Sequence, residues 1–216
     1  GHIPDGGMVA TVFVNFCATI LTTVGMNLQL HVKSLGGKST DKLQNFVMGD
    51  YPANYNSETQ TMVFDIGTIQ YQQSRDIIIN TQDIEDLTFY FTYKIGGAAF
   101  KSQEETISQF PISDITNSDQ YHINRYKVVE AIQEMCNFNR VQNNLNAIEK
   151  FNTICSYIEN QDDKNELSYR LLENLKGDAG NQGQIYLAIS NMQYFKKWGR
   201  FYLDQLSRSL NQQIKP

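Results

Sequence analysis

Cysteine, positive charge and long apolar runs are all scarce in this chain of 216 residues. Its three cysteines form no C-x-x-C pair and have no histidines at ligand spacing, which argues against a disulfide framework and a zinc site. Lysine and arginine number 18 against 23 acidic residues, and the net charge of −5 argues against nucleic acid or an anionic membrane as a partner. No apolar run reaches the roughly 18 residues of a membrane span.

The cysteines also indicate where the protein works. Each one lies among apolar or helical residues, which favours a small buried hydrophobic side chain with a reduced thiol. The chain contains no N-x-[ST] glycosylation site either. Both features predict an intracellular protein of the cytoplasm, with free thiols at Cys17, Cys136 and Cys155.

The first apolar segment has the spacing of a helix. Apolar side chains recur at three- and four-residue steps over residues 8–24, after a turn at Asp5 and two glycines. The segment is rich in β-branched residues, so such a helix depends on tertiary packing. Its exposed apolar face is our candidate interaction surface, with Phe13, Phe16 and Ile20 as the candidate residues.

From residue 26 the apolar period changes to two, as in a half-buried strand. Further strands are predicted near residues 45–48, 61–71, 75–81 and 87–95, separated by turn-rich stretches at 34–42 and 50–60 and by Gly96-Gly97. Short strands without intervening helices favour an antiparallel β-sandwich.

Beyond a linker-like stretch at residues 110–119, helical periodicity returns. Three apolar stripes have helical spacing, and a fourth follows a glycine-rich break at residues 177–183. The first three comprise Ile123, Tyr126, Val129, Ile132 and Met135/Cys136; Val141, Leu145, Ile148, Phe151/Asn152 and Cys155; and Leu167, Leu171/Leu172 and Leu175.

No catalytic, cofactor-binding or metal-binding residues are predicted. Gly37-Lys38-Ser39 resembles the end of a phosphate-binding loop, but Val32 occupies the position where that loop needs its first glycine, so we expect a hairpin loop. The three histidines lie on three different predicted elements. No two carboxylates and no serine or cysteine nucleophile have the arrangement that catalysis requires.

The densest aromatic and basic stretch runs from Tyr194 to Tyr202. Mixed rings and cations can stack on single-stranded nucleic acid. Helical spacing instead predicts that Phe195, Trp198 and Tyr202 form a core stripe while the neighbouring cations point elsewhere.

Three parts of the chain resemble one family. Residues 1–5 (GHIPD) and 8–15 (MVATVFVN) resemble the last turn and helix of a von Willebrand factor A (VWA) domain. Residues 67–69 and 73–79 resemble the β-sandwich that follows VWA domains in intracellular proteins. Residues 184–190 and 194–203 resemble the end of the helical Vwaint region of VWA/Hint-type proteins.

The resemblance implies an α+β multidomain fold. The expected order is a VWA remnant over residues 1–25, an antiparallel β-sandwich over 26–112 and an α-helical Vwaint-like domain over 113–216. The sheet that the first helix would cover is then expected upstream of residue 1. The Asp-x-Ser-x-Ser motif of the family's metal site does not occur in this chain, so no metal ligand is carried over.

The function implied is a non-catalytic interaction or scaffold module, with other proteins and an upstream VWA domain of the same full-length chain as partners. The alternative is the substrate-recognition half of a RING- or U-box-type ubiquitin ligase, since some VWA proteins resemble such ligases in domain order. If the first helix has lost its sheet, its apolar face is expected to pack elsewhere or to cause self-association.

Overall fold

The computed structural model describes residues 21–34, 40, 49, 51–79, 86–108, 117–161, 166–177 and 183–213. Within them the protein is mixed α+β, with an antiparallel sheet of six strands and five helices. The chain divides into two compact units between residues 114 and 115. We call the first the sheet unit and the second the helical unit.

The strands of the sheet unit are short at the edges and long in the middle. They are β1 Thr23–Ser34, β2 Ala53–Asn56, β3 Thr61–Gln70, β4 Asp86–Ile95, β5 Ala98–Lys101 and β6 Glu105–Ser108. Their order is β2-β3-β1-β4-β5, and β6 also pairs with β4. One side of β4 thus pairs with β1, and its other side pairs with β5 and β6 at different positions.

One face of the sheet carries an apolar core because side chains alternate along each strand. Leu30 of β1 is paired with Phe64 of β3 and with Phe91 of β4, so apolar residues of three strands meet on this face. The buried members are Leu28, Leu30, Val32, Met62, Phe64 and Ile66. The opposite face carries mainly polar side chains, among them Gln29, His31 and Thr92.

The turn predicted at Gly96-Gly97 is confirmed. It joins β4 to β5, and both glycines have positive φ, 55° and 91°. Two consecutive residues of positive φ are what a two-residue type I′ hairpin turn requires. Glycine adopts this conformation without steric cost.

The predicted strand at residues 75–81 is wrong for its described part. Residues 73–78 have no regular structure, and Ile79 makes a single bridge. Ile77 and Ile79 instead pack their side chains on the apolar core without ladder pairing. The apolar run therefore reflects burial, not strand formation.

The N-terminal helix is predicted to extend to Val24; Leu21 and Thr22 are helical, but β1 already begins at Thr23. Residues 8–20 lie outside the described residues, as do the predicted strand at 45–48 and the loop at Gly37-Lys38-Ser39. The described strands form one antiparallel sheet. The second sheet of a sandwich stays a prediction.

The helical unit has five helices in its described residues. They are α1 Asn117–Arg140, α2 Asn144–Glu159, α3 Glu166–Lys176 and α4 Gln184–Ser190, followed by α5. Helix α5 is continuous through Met192–Tyr194, a π-helical turn at Phe195–Gly199, and Arg200–Asn211. Among the helices in these ranges, none combines the length and the apolar character that a membrane span requires.

The first predicted stripe is confirmed, since Tyr126, Val129, Ile132 and Met135 are all buried on α1. The second is wrong at its start, because Val141 and Leu145 are 74% and 75% exposed. The third is buried at Leu171 and Leu175, whereas Leu167 is exposed.

The error at Val141 and Leu145 has a local cause. Helix α1 ends at Arg140, Gln142 takes a positive φ of 61°, and the Asn143 side chain accepts a hydrogen bond from Asn146 N at 3.3 Å. This cap starts a new helix, whose buried positions do not continue the spacing of those on α1. The buried stripe of α2 is Ala147, Phe151, Ile154, Cys155 and Ile158.

Candidate interaction surface

Helix α5 starts with a cap and soon widens into a π-helical turn. The Asn191 side chain accepts hydrogen bonds from the backbone of Gln193 and Tyr194, at 2.9 and 3.3 Å. The backbone N–H of Arg200 then donates to Phe195 O, five residues back. Such turns are rare and frequently occur at functional sites.

Gly199 explains how this turn packs against α4. A Cβ atom added at Gly199 would lie 2.9 Å from the Cβ of Ala188, which is too close for two carbon atoms. The missing side chain therefore lets the two helices approach each other closely. Phe195 and Gly199 are buried by this packing.

The interpretation of Phe195, Trp198 and Tyr202 as a core stripe is confirmed. Phe195 is buried, and Trp198 and Tyr202 pack partly buried against the helical core. Burial also raises the pKa of Tyr202 above its ordinary value. The three rings Tyr194, Trp198 and Tyr202 form a ladder with centroid distances of 6.2 and 5.9 Å.

The cations of this stretch face solvent, as predicted. Lys196, Lys197 and Arg200 are exposed, and the same helix exposes Tyr194 and Phe201 by 43% and 46%. Aromatic rings and arginine are the residues most enriched where proteins bind each other. We define the α5 surface as the set Tyr194, Lys196, Lys197, Trp198, Arg200, Phe201, Tyr202 and Arg208.

The polar face of the sheet carries a second cluster, which cross-strand register brings together. His31 of β1 lies opposite Tyr90 of β4, and their rings stack at 4.5 Å with an interplanar angle of 6°. Lys101 Nζ lies 3.9 Å from the centre of the Tyr90 ring, within reach of a cation–π interaction. Glu104 accepts from Lys101 at 2.8 Å and from Lys33 at 3.1 Å.

These contacts shift the pKa values of three side chains in the cluster. The hydrogen bond with Glu104 raises the pKa of Lys101, and the hydrogen bonds from Lys101 and Lys33 lower the pKa of Glu104. Burial lowers the pKa of His31, and the positive charge of Lys101 lowers it further. The His31 imidazole Nε2 lies 2.9 Å from Thr92 Oγ1.

His31 should make the sheet unit sensitive to acid. Its pKa is lower in the folded than in the unfolded protein, so its contribution to stability is complete above about pH 6.5 and is lost as the pH falls through the folded pKa. We expect the urea midpoint, followed by circular dichroism, to fall between about pH 7.5 and pH 5.5. His31→Gln should reduce this fall, and an unchanged pH dependence in that variant would contradict the assignment.

An open depression of about 670 Å³ adjoins this cluster. Its polar lining includes Gln29, Asp65, Thr92, Lys94 and Lys101. Two cations and one carboxylate give it no charge preference strong enough to define a class of ligand.

The described thiols are buried. Cys136 and Cys155 are free, as predicted, and burial raises the pKa of each to about 11. A thiol of such high pKa is a poor nucleophile near neutral pH. Cys17 lies outside the described residues, and within those residues no group of three or more His, Cys, Asp or Glu side chains could hold a metal ion.

The candidate residues Phe13, Phe16 and Ile20 also lie outside the described residues. For residues 194–202 the sequence favours core packing of three rings over stacking on nucleic acid, and it identifies no protein-binding surface there. It missed the sheet cluster entirely, because cross-strand register has no local signal.

No protein-family model, no curated protein and no solved structure matches this chain. The resemblance to VWA and Vwaint segments therefore stays a prediction.

Proposed function

We propose that this chain is a non-catalytic protein–protein interaction or scaffold module of an intracellular VWA-domain protein. The observation that carries the proposal is the α5 surface, where Tyr194 and Phe201 are exposed beside Lys197 and Arg200. Isolated exposed apolar residues are ordinary on a protein surface. Rings and cations grouped on one helix are typical of binding hot spots.

The scaffold beneath this surface supports the proposal. The Asn191 cap fixes the start of α5, and Gly199 holds the helix closely against α4. Trp198 is fixed between two other rings. Side chains held in place before binding lose less conformational entropy when a partner arrives.

The proposed domain organisation of the chain comes from the family resemblance. It includes a VWA remnant over residues 1–25, a β-sandwich over 26–112 and a Vwaint-like helical domain over 113–216. An upstream VWA domain of the same full-length chain is one expected partner, and other proteins are the remaining ones. No described feature favours the ubiquitin-ligase alternative.

Affinity capture with the full chain tests the proposal. We expect the immobilised chain to retain specific proteins from a cytoplasmic extract, and free chain to compete for them. In the double variant Tyr194→Ala/Phe201→Ala the affinity for those proteins should fall about tenfold or more, because truncating hot-spot rings costs about 2 kcal/mol.

The matched control is Val141→Ala/Leu145→Ala, which removes two apolar side chains that are even more exposed. It should retain the same proteins with unchanged affinity. Circular dichroism should show that both variants are folded. The proposal fails if the wild-type chain retains no protein that free chain displaces, or if both double variants lose binding equally.

A further inference from the structure

We infer that the α5 surface is a docking site for an acidic segment of another protein. This inference rests on the proposed function and names the chemistry of its partner. It starts from the distribution of unpaired cations in the described residues.

Most described lysines and arginines already have a partner. Lys33, Lys101, Arg140, Lys150, Arg170 and Lys176 form ion pairs, and Arg75, Arg125 and Lys127 contact carbonyl oxygens or rings. In the part of the chain that the structure describes, the cations without such a contact are Lys94, Lys196, Lys197, Arg200 and Arg208. Four of these five lie on α5.

The one acidic residue of α5, Asp204, can offset at most one of these four cations. Asp204 Oδ1 lies 3.6 Å from Nη2 of Arg140, a residue of α1. The helix therefore presents a local excess of positive charge in a chain whose net charge is −5. Charge complementarity across an interface speeds association and excludes wrong partners.

Helical spacing brings these cations beside the exposed rings. Lys196 and Arg200 are four residues apart, as are Lys197 and Phe201, so each pair lies on one side of the helix. From residue 196 to residue 208 the helix rises about 18 Å. A short acidic segment can match this length. Its carboxylates would meet the cations of α5, and apolar side chains between them would meet the exposed rings.

An acidic protein segment fits better than single-stranded nucleic acid. Successive bases need a row of free ring faces, but Trp198 is half-buried and lies between Tyr194 and Tyr202. Of the rings of the α5 surface, only Tyr194 and Phe201 are exposed. A long polyanion would also extend beyond α5 over a protein of net negative charge. A short segment avoids that repulsion, since charges are screened beyond about 8 Å at physiological ionic strength.

Fluorescence polarisation with the full chain tests the inference. The probes are a labelled random copolymer of glutamate and tyrosine, labelled polyglutamate and a single-stranded oligothymidine, and phosphatidylserine vesicles are tested by sedimentation. We expect the copolymer to bind most tightly and its affinity to fall with salt. The double variant Lys197→Glu/Arg200→Glu should weaken it about tenfold or more.

The matched control is Lys94→Glu/Arg170→Glu, which changes the net charge equally but lies off α5 and should change the affinity by less than about twofold. Circular dichroism verifies folding of both variants. The inference is overturned if the copolymer does not bind, if both variants weaken it equally, or if oligothymidine or vesicles bind more tightly and lose binding in the α5 variant.

The two proposals fail in different ways. If the α5 charge variant still retains from extract all the proteins that the wild-type chain retains, the inference fails and the interaction function stands. If the wild-type chain retains no protein that free chain displaces, the function itself fails.

Discussion

Replacing Gly199 with alanine should lower the free energy of unfolding of the helical unit by about 2 kcal/mol. The new Cβ would lie 2.9 Å from the Cβ of Ala188 and 3.2 Å from its Cα and carbonyl oxygen. A glycine-to-alanine change inside a helix normally stabilises it by about 1 kcal/mol. The sign of the effect therefore tests the close packing directly.

Urea unfolding followed by tryptophan fluorescence measures this change, because the chain has one tryptophan, Trp198, and it lies beside Gly199. Ala188→Gly in the Gly199→Ala background removes the facing Cβ and should restore part of the loss. A coupling of about 1 kcal/mol between the two sites would be expected for residues in direct contact. A Gly199→Ala protein more stable than wild type would disprove the contact.

The sequence predicted the long strands well because their alternation is complete over many residues. The alternation predicts β3 at 61–71, and the strand runs Thr61–Gln70; it predicts β4 at 87–95, and the strand runs Asp86–Ile95. Strands β2, β5 and β6 have four residues each, too few to show a period. They form because the edges of longer strands offer hydrogen-bonding groups to pair with.

The candidate surfaces were less predictable. The helical spacing of Phe195, Trp198 and Tyr202 was enough to place these rings toward the core. It could not show that Lys197 and Arg200 lack acidic partners, since that depends on where other helices place their carboxylates. The stack of His31 on Tyr90 depends on pairing between residues 59 positions apart, and such register is set by the whole sheet.

Replacing Arg125 with methionine should destabilise the helical unit by about 2–3 kcal/mol. Arg125 lies on α1 with only 2% of its surface exposed, and its Nη1 donates to the carbonyl oxygens of Leu210 and Asn211 in the last turn of α5. The last carbonyls of a helix lack the regular donor four residues further on, although Leu210 O also accepts from Gln213 N at 3.4 Å. A cation at this end also complements the helix dipole. Methionine fills similar space but cannot donate a hydrogen bond.

The loss of stability should be concentrated at the C-terminal end of α5. Hydrogen exchange should become faster over residues 207–213, and the urea midpoint from Trp198 fluorescence should fall. Arg208→Met is the matched control, because Arg208 is exposed on the same helix and has no such contact in the described residues; it should stay within about 0.5 kcal/mol of wild type. Equal exchange rates at residues 207–213 in the Arg125 variant and the wild type would show that the guanidinium does not hold this helix end, and that the packing of α1 on α5 alone keeps it in place.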